Sequence, residues 1–439
     1  MPVSPIRLLG LAGFASALAL AGCDSKGGDP AAQVGPNPPL PAPKQYLLPP
    51  MKVATAVGWA KGEAPRAAAG LKIQALATGL KGPRSLYVLP NGDVLVVETH
   101  GPKAPVNRPK DIIMGWLKGK AAAPGAASRI TLLRDADGDG TPELRTVFID
   151  NLKTPFGVAL VGGDLYVAGG DKILRFPYQT GQTRITAPGV ILTDIPGGPI
   201  DHHWTKSLVA SADGTKLYVG VGSNSNITEN GMPAELGRAA IWEVDRASGA
   251  HRIYASGLRN PNGLQFEPTT GKLWAVINER DEIGPDLVPD YLTSVQDGGF
   301  YGWPYSYWGQ HVDVRVKPQR PDLVARAIVP DYSLSSHVAP LGLVFSAAAA
   351  KLPAQYRGGA FVGEHGSWDR SPFNGFKVVY VPFAGGRPAG KAQDVVTGFL
   401  GEGGKARGRP VGLALDKAGA LLIADDVGGV VWRVTAAGG

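Results

Sequence analysis

One cysteine in 439 residues excludes an intrachain disulfide and leaves stability to packing. Long apolar runs are missing too. The stretch from Leu8 to Leu20 is about a dozen residues, against the ~20 that a membrane-spanning helix needs. Lysine and arginine never cluster, and the net charge is only +7, so the electrostatic footprint of a nucleic-acid binder is lacking. No extended apolar face of 3.6-residue period is present, which argues against a helical architecture. What the chain does have is 44% hydrophobic residues, enough for a large core, with 61 glycines and 38 prolines. That composition belongs to a folded, turn-rich chain rather than a disordered one.

The first fifty residues read as export and attachment. Arg7 supplies a positive start, Leu8 to Leu20 an apolar core, and Leu20-Ala21-Gly22-Cys23 resembles a bacterial lipobox whose cysteine becomes the lipidated N-terminus. Residues 1–22 are thus expected to be a lipoprotein signal peptide. Residues 23–50, with seven prolines between Pro36 and Pro50, are expected to be an extended tether. The folded body, 51–439, would then sit outside the cytoplasm, held to a membrane by its lipid and periplasmic in location, which argues against soluble NAD or ATP chemistry.

From about residue 80 one theme recurs. A small residue or proline opens an apolar strand, a Gly/Asp/Asn turn follows, and a second apolar strand returns. The six instances are residues 83–98, 154–170, 206–222, 260–277, 339–365 and 409–426. Alternation such as Leu-x-Val, with β-branched and aromatic residues, says strand. Six repeated antiparallel hairpins predict an all-β, six-bladed β-propeller with four-stranded blades. In that architecture the loop before each opening faces one end of a central channel. Arg84, Thr154, His203 with Lys206, Arg259 with Asn260, His337 and Arg409 would then converge there. A ring of cations suits a compact polyanion, because arginine clamps carboxylates with two donors.

The segments GLRNPNGLQFEPTTGKLW (257–274) and HHWTKSLVASADGTKLYVGVGSN (202–224) resemble those of the quinoprotein glucose/sorbosone dehydrogenases, in particular the sorbosone branch. FYGWP (300–304), HVAPLGLVF (337–345) and GEHGSWDRS (363–371) add to the likeness. The resemblance implies a propeller that binds pyrroloquinoline quinone (PQQ) and Ca2+. It implies oxidation of an aldose or a sugar aldehyde such as sorbosone at C1, with electrons passed to a membrane quinone or a cytochrome. Arg259 and Asn260 would hold the quinone oxygens, His203 would be the base, and Arg84, Arg409 and His337 would belong to the cofactor ring. The family's cofactor lysine has no clear counterpart, and Arg370 and Lys377 are the candidates. Val411 stands where the family places a second arginine. Where the family holds calcium on a Gly-Pro pair, this chain reads Asn278-Glu279-Arg280-Asp281-Glu282, so Asp281 and Glu282 are the expected ligands.

A second metal candidate is Asp135-Ala136-Asp137-Gly138-Asp139-Gly140, whose alternate aspartates match the start of an EF-hand loop, although Thr146 stands at the twelfth place. Two other functions compete. A calcium-dependent lactonase-like propeller would need acidic and Asn ligands at its centre rather than arginines, and a non-catalytic propeller would need no base.

Overall fold

The computed structural model describes residues 26–45, 52–102 and 127–438, with isolated residues between 112 and 122. The chain is all-β, with little helix, such as the short turn Pro321–Val324. Each of the six openings forms an antiparallel hairpin, and each hairpin begins a sheet of at least four strands.

The sheets begin with strands Pro83–Val88, Pro155–Val161, Leu208–Ala210, Pro261–Phe266, Pro340–Phe345 and Pro410–Leu415. These first strands pack against one another in sequence order, and Pro410–Leu415 also packs on Pro83–Val88. The sixth sheet takes its last strand from the other end of the body: Val430–Ala436 pairs antiparallel with Leu71–Ala77. Glycine makes the close approach possible. A Cβ at Gly157 would lie 2.5 Å from the Leu208 Cβ of the next sheet. At Gly263 the neighbour is Leu343, at Gly342 Val411, and at Gly412 Ser85. One glycine in each of these four openings therefore sets the spacing to the next sheet.

The core is divided in the same way. Each main apolar cluster lies between two neighbouring sheets: Leu132 with Val167, Ala168 with Val219, Ile241 with Ala275, Val276 with Val362, Phe361 with Ile423, and Leu422 with Val96. Alternating apolar residues on both faces of each sheet are what this requires, and every fully buried Leu or Val contributes ~1.5–3 kcal/mol. The fold is propeller-like, with a cavity of about 260 Å³ lined by residues of all six first strands.

The described part of the expected tether does not hang free. Val34–Gly35 adds a strand to the fourth sheet beside Ser333 and Leu334, and Lys44 N donates to Ile283 O at 2.9 Å. The folded body therefore starts upstream of residue 51. Cys23 and the signal segment lie outside the described residues.

Candidate functional site

His203 sits in the loop that enters the third sheet. Its Nδ1 is 2.8 Å from Ser223 O and 3.0 Å from Ser223 Oγ. A carbonyl oxygen only accepts, so Nδ1 carries the proton and Nε2 is the basic nitrogen. Ser223 N in turn donates to Arg259 O at 2.8 Å. Gly222 lies between: a Cβ there would be 2.4 Å from His203 Cβ and 2.7 Å from Asn260 Oδ1. The structure thus brings His203, Arg259 and Asn260 together from two separate openings.

The neighbouring Trp204 extends the group. The Arg84 guanidinium stands over its ring at 5.2 Å, and Arg84 Nη1 donates to Asp426 Oδ2 at 2.5 Å. Asp426 also receives His365 Nε2 at 3.1 Å, and its backbone N donates to Arg409 O at 3.4 Å. Burial works against the Asp426 charge, but His365, Arg84 and Arg409 hold the carboxyl well below the usual range. Arg409 lies over the Phe376 ring at 5.6 Å and donates to Ala54 O at 3.1 Å.

A second cluster lies beside Arg259. The ligand atoms of Asp281, His337 and Asp369 all fall within 4.8 Å of one another. His337 Nδ1 is 3.3 Å from Asp281 Oδ1 and 3.1 Å from Asp369 Oδ1, while Nε2 donates to Gly284 O at 3.1 Å. Burial opposes the imidazolium charge, yet the flanking carboxylates prevail and push His337 up to about 10. Asp369, buried, is pushed up to about 7.

Several expected roles meet different surroundings. All five Arg259 N–H donors are engaged by protein: Nε with Asn226 O, Nη1 with Glu279 O and Asn278 O, and Nη2 with Asn226 Oδ1 and with Asp281 Oδ2 at 2.9 Å. It braces the cluster instead of presenting donors. Arg370 is fully buried and binds Pro285 O, Pro372 O, Gly28 O and Asp286, so it holds the N-terminal segment and not a cofactor. Lys377 reaches outward to Asp394 on the outer strand, 2.7 Å away. Lys206 is buried between Asp201 and the Trp204 carbonyl. Glu282 faces Asp369 through its backbone N at 3.5 Å, and the acidic partner of Asp281 in the cluster is Asp369 instead.

Asp135, Asp137, Asp139 and Glu143 do converge, but their carboxylates accept the loop's own N–H groups from Ala136 to Thr141. Sequence reasoning missed Asp369, Asp426, His365 and Ser223. Asp369 and His365 stood inside the family-like stretch GEHGSWDRS, which was a usable signal.

The residues fit the two implied groups as follows. Arg84 Nε is buried with no hydrogen-bond partner among the described residues. Arg84 and Arg409 both act on the Asp426 carboxylate, and arginines grouped in this way suit a polycarboxylate. Asp281 and Asp369 offer hard oxygen atoms for a divalent cation, and His337 is the positive group that balances them here.

Residues 166–366 match the family model described as Glucose / Sorbosone dehydrogenase, and residues 321–437 match one described as TrAA12-like. A pyrroloquinoline quinone-dependent sugar dehydrogenase of Hypocrea jecorina is 23% identical over 415 residues, covering 84% of this chain and 89% of the relative. Among solved structures, the holo PQQ domain of pyranose dehydrogenase from Coprinopsis cinerea has a TM-score of 0.69 at 21% identity, covering 87% of this chain and 100% of that one. The calcium structure of a Trichoderma reesei enzyme of carbohydrate-active family AA12 also has a TM-score of 0.69 at 21% identity, covering 88% and 99%. The chain shares the fold of these proteins.

Proposed function

We propose that the protein is a PQQ-dependent dehydrogenase on a closed six-bladed propeller, oxidising an aldose or sorbosone-like sugar aldehyde at C1. It would pass electrons to a membrane quinone or cytochrome from a lipid-anchored, periplasmic position. The observation that carries this reading is the meeting of His203, Asn260, Arg84 and Arg409 from four separate openings beside a cavity lined by all six first strands. The family match over residues 166–366 supports the same class.

When bound, PQQ supplies an electrophilic carbonyl that accepts the C1 hydride. The chain's own residues do the rest. His203 takes the C1 hydroxyl proton, that of the cyclic aldose or of the hydrated aldehyde, at Nε2, because its Nδ1–H is held by Ser223 O. Histidine suits the task since its pKa lies near working pH. Arg84 and Arg409 hold carboxylates by charge-assisted hydrogen bonds, Asn260 orients the reacting end, and Trp204 walls the pocket. Asp281 and Asp369 would hold Ca2+.

The test is dye-linked oxidation of a sugar panel by purified protein supplied with PQQ and Ca2+. Turnover should require PQQ, and His203→Ala should abolish it while PQQ still binds. Turnover surviving in His203→Ala would remove the assigned base.

A further inference from the structure

The segment that follows Cys23 contributes one buried side chain whose partners are specific. Gln33 is 4% exposed. Its Oε1 accepts from Ser336 N at 3.2 Å, Ser336 Oγ at 2.9 Å and Ser335 Oγ at 3.4 Å. Its Nε2 donates to Asp286 O at 2.7 Å and Pro39 O at 3.4 Å. The amide orientation is set by its partners, since Ser336 N–H can only donate and the Asp286 carbonyl can only accept.

These partners flank the acidic cluster. Ser336 immediately precedes His337, and Asp286 follows Gly284, whose carbonyl receives His337 Nε2. The same segment reaches the third arm. Gly28 N donates to Asp286 Oδ2 at 2.7 Å, and Arg370, next to Asp369, donates to Gly28 O at 2.7 Å. Gly27 lets the two chains approach closely, since a Cβ there would push against the Arg370 guanidinium. Three loops that carry Asp281, His337 and Asp369 are therefore tied through about ten residues of chain located 253 to 342 positions upstream of the residues they hold.

We propose that Gln33 is a positioning residue for the Asp281–His337–Asp369 cluster, and that the segment after Cys23 is part of the site instead of a passive tether. The importance of the cluster rests on the proposed function, but the bracing itself does not, and it is tested without cofactor. A side-chain amide with both ends engaged and buried cannot be replaced by a shorter group without leaving polar partners unsatisfied.

The experiment uses the full apo-chain and two variants. Gln33→Ala should speed amide exchange at least tenfold in peptides covering 283–288, 333–338 and 369–372, with peptides in 155–177 unchanged. It should also shift the ring nitrogen signals of His337 in protein labelled with 15N-histidine, assigned with His337→Gln. Gln33→Glu keeps an acceptor for Ser336 N–H but cannot donate to Asp286 O, so it should retain protection at 333–338 and lose it at 283–288. Unchanged His337 signals, unchanged exchange in all three peptides, or a uniform rise along the chain would each overturn the proposal. Failure of the unsubstituted protein to take up PQQ would instead count against the proposed function alone.

Discussion

Gly222→Ala adds one methyl group at the point where two openings meet. The added carbon would lie 2.4 Å from His203 Cβ, 2.7 Å from Asn260 Oδ1 and 3.1 Å from His203 O. Carbon atoms in contact sit ~3.5–4.0 Å apart. A Cβ cannot swing away by changing rotamer, so His203 has to move with its backbone by about 1 Å or more. Overpacking of this kind costs ~1–3 kcal/mol of stability. A displacement of ~1 Å at a reacting group costs on the order of 100-fold in rate, equivalent to ~2.7 kcal/mol at the barrier. The assay compares kcat/KM for dye-linked sugar oxidation with the urea midpoint. A control separates the two effects: Gly386→Ala places a carbon 2.4 Å from Thr270 Cγ2, between a hairpin turn and the outer end of another hairpin. Both variants should lose stability, and only Gly222→Ala should lose about 100-fold in kcat/KM. If Gly222→Ala keeps kcat/KM within threefold of the parent while its urea midpoint falls, the placement of His203 is not what catalysis depends on.

Two further outcomes follow from the geometry, and a third from the lipobox-like sequence around Cys23. Arg84→Gln removes a charge that stands over Trp204 with a buried, unpartnered Nε, and PQQ affinity measured by equilibrium dialysis should drop ~10- to 100-fold, the worth of one or two charge-assisted bonds; unchanged affinity would exclude Arg84 from the pocket. Glu364 is 2% exposed, and burial pushes it up to about 8 from 4.5. Its folded-state pKa is raised, so the folded chain keeps a proton that the unfolded chain releases. Stability should fall by ~1.4 kcal/mol per pH unit from this group as pH rises from about 4.5 to 8, and Glu364→Gln should flatten urea midpoints over that range. Finally, Cys23→Ser should move the protein from the membrane fraction to the soluble extracytoplasmic fraction.

The repeated openings were legible because each carries its own evidence: alternation, a turn and a small residue within a short stretch of chain. Local pattern suffices where the determinant is local. Arg370 and Lys377 were misread because a cation in sequence does not display its partner. Arg370 turned out to serve Asp286 and Gly28, and Lys377 to serve Asp394. The cluster of Asp281, His337 and Asp369 comes from three loops within a span of about ninety residues, and only the first lay in a segment compared with the family's calcium site. The N-terminal stretch looked like a tether on composition alone. Its attachment depends on backbone groups and one glutamine, which leave no compositional trace.

Arg259 is the residue whose role changes most between sequence and structure, and the difference is measurable. The family likeness assigns it to the quinone oxygens. Its position, 3% exposed with all five donors engaged by Asn226, Asn278, Glu279 and Asp281, makes it a brace between the loop at 226 and the loop carrying Asp281. A brace stabilises the chain before any ligand arrives, whereas a ligand contact stabilises only the complex. Arg259→Lys keeps the charge but loses the planar fork, so most of the five contacts go. In the brace reading, the apo-protein should lose at least ~1.5 kcal/mol in urea unfolding, the worth of one charge-assisted bond, and PQQ affinity should fall as a consequence. If apo-stability is unaltered and only PQQ affinity drops, Arg259 must exchange its protein partners for the ligand. Asp281 would then be released toward the cation at the same moment, which would couple cofactor and metal binding through a single side chain.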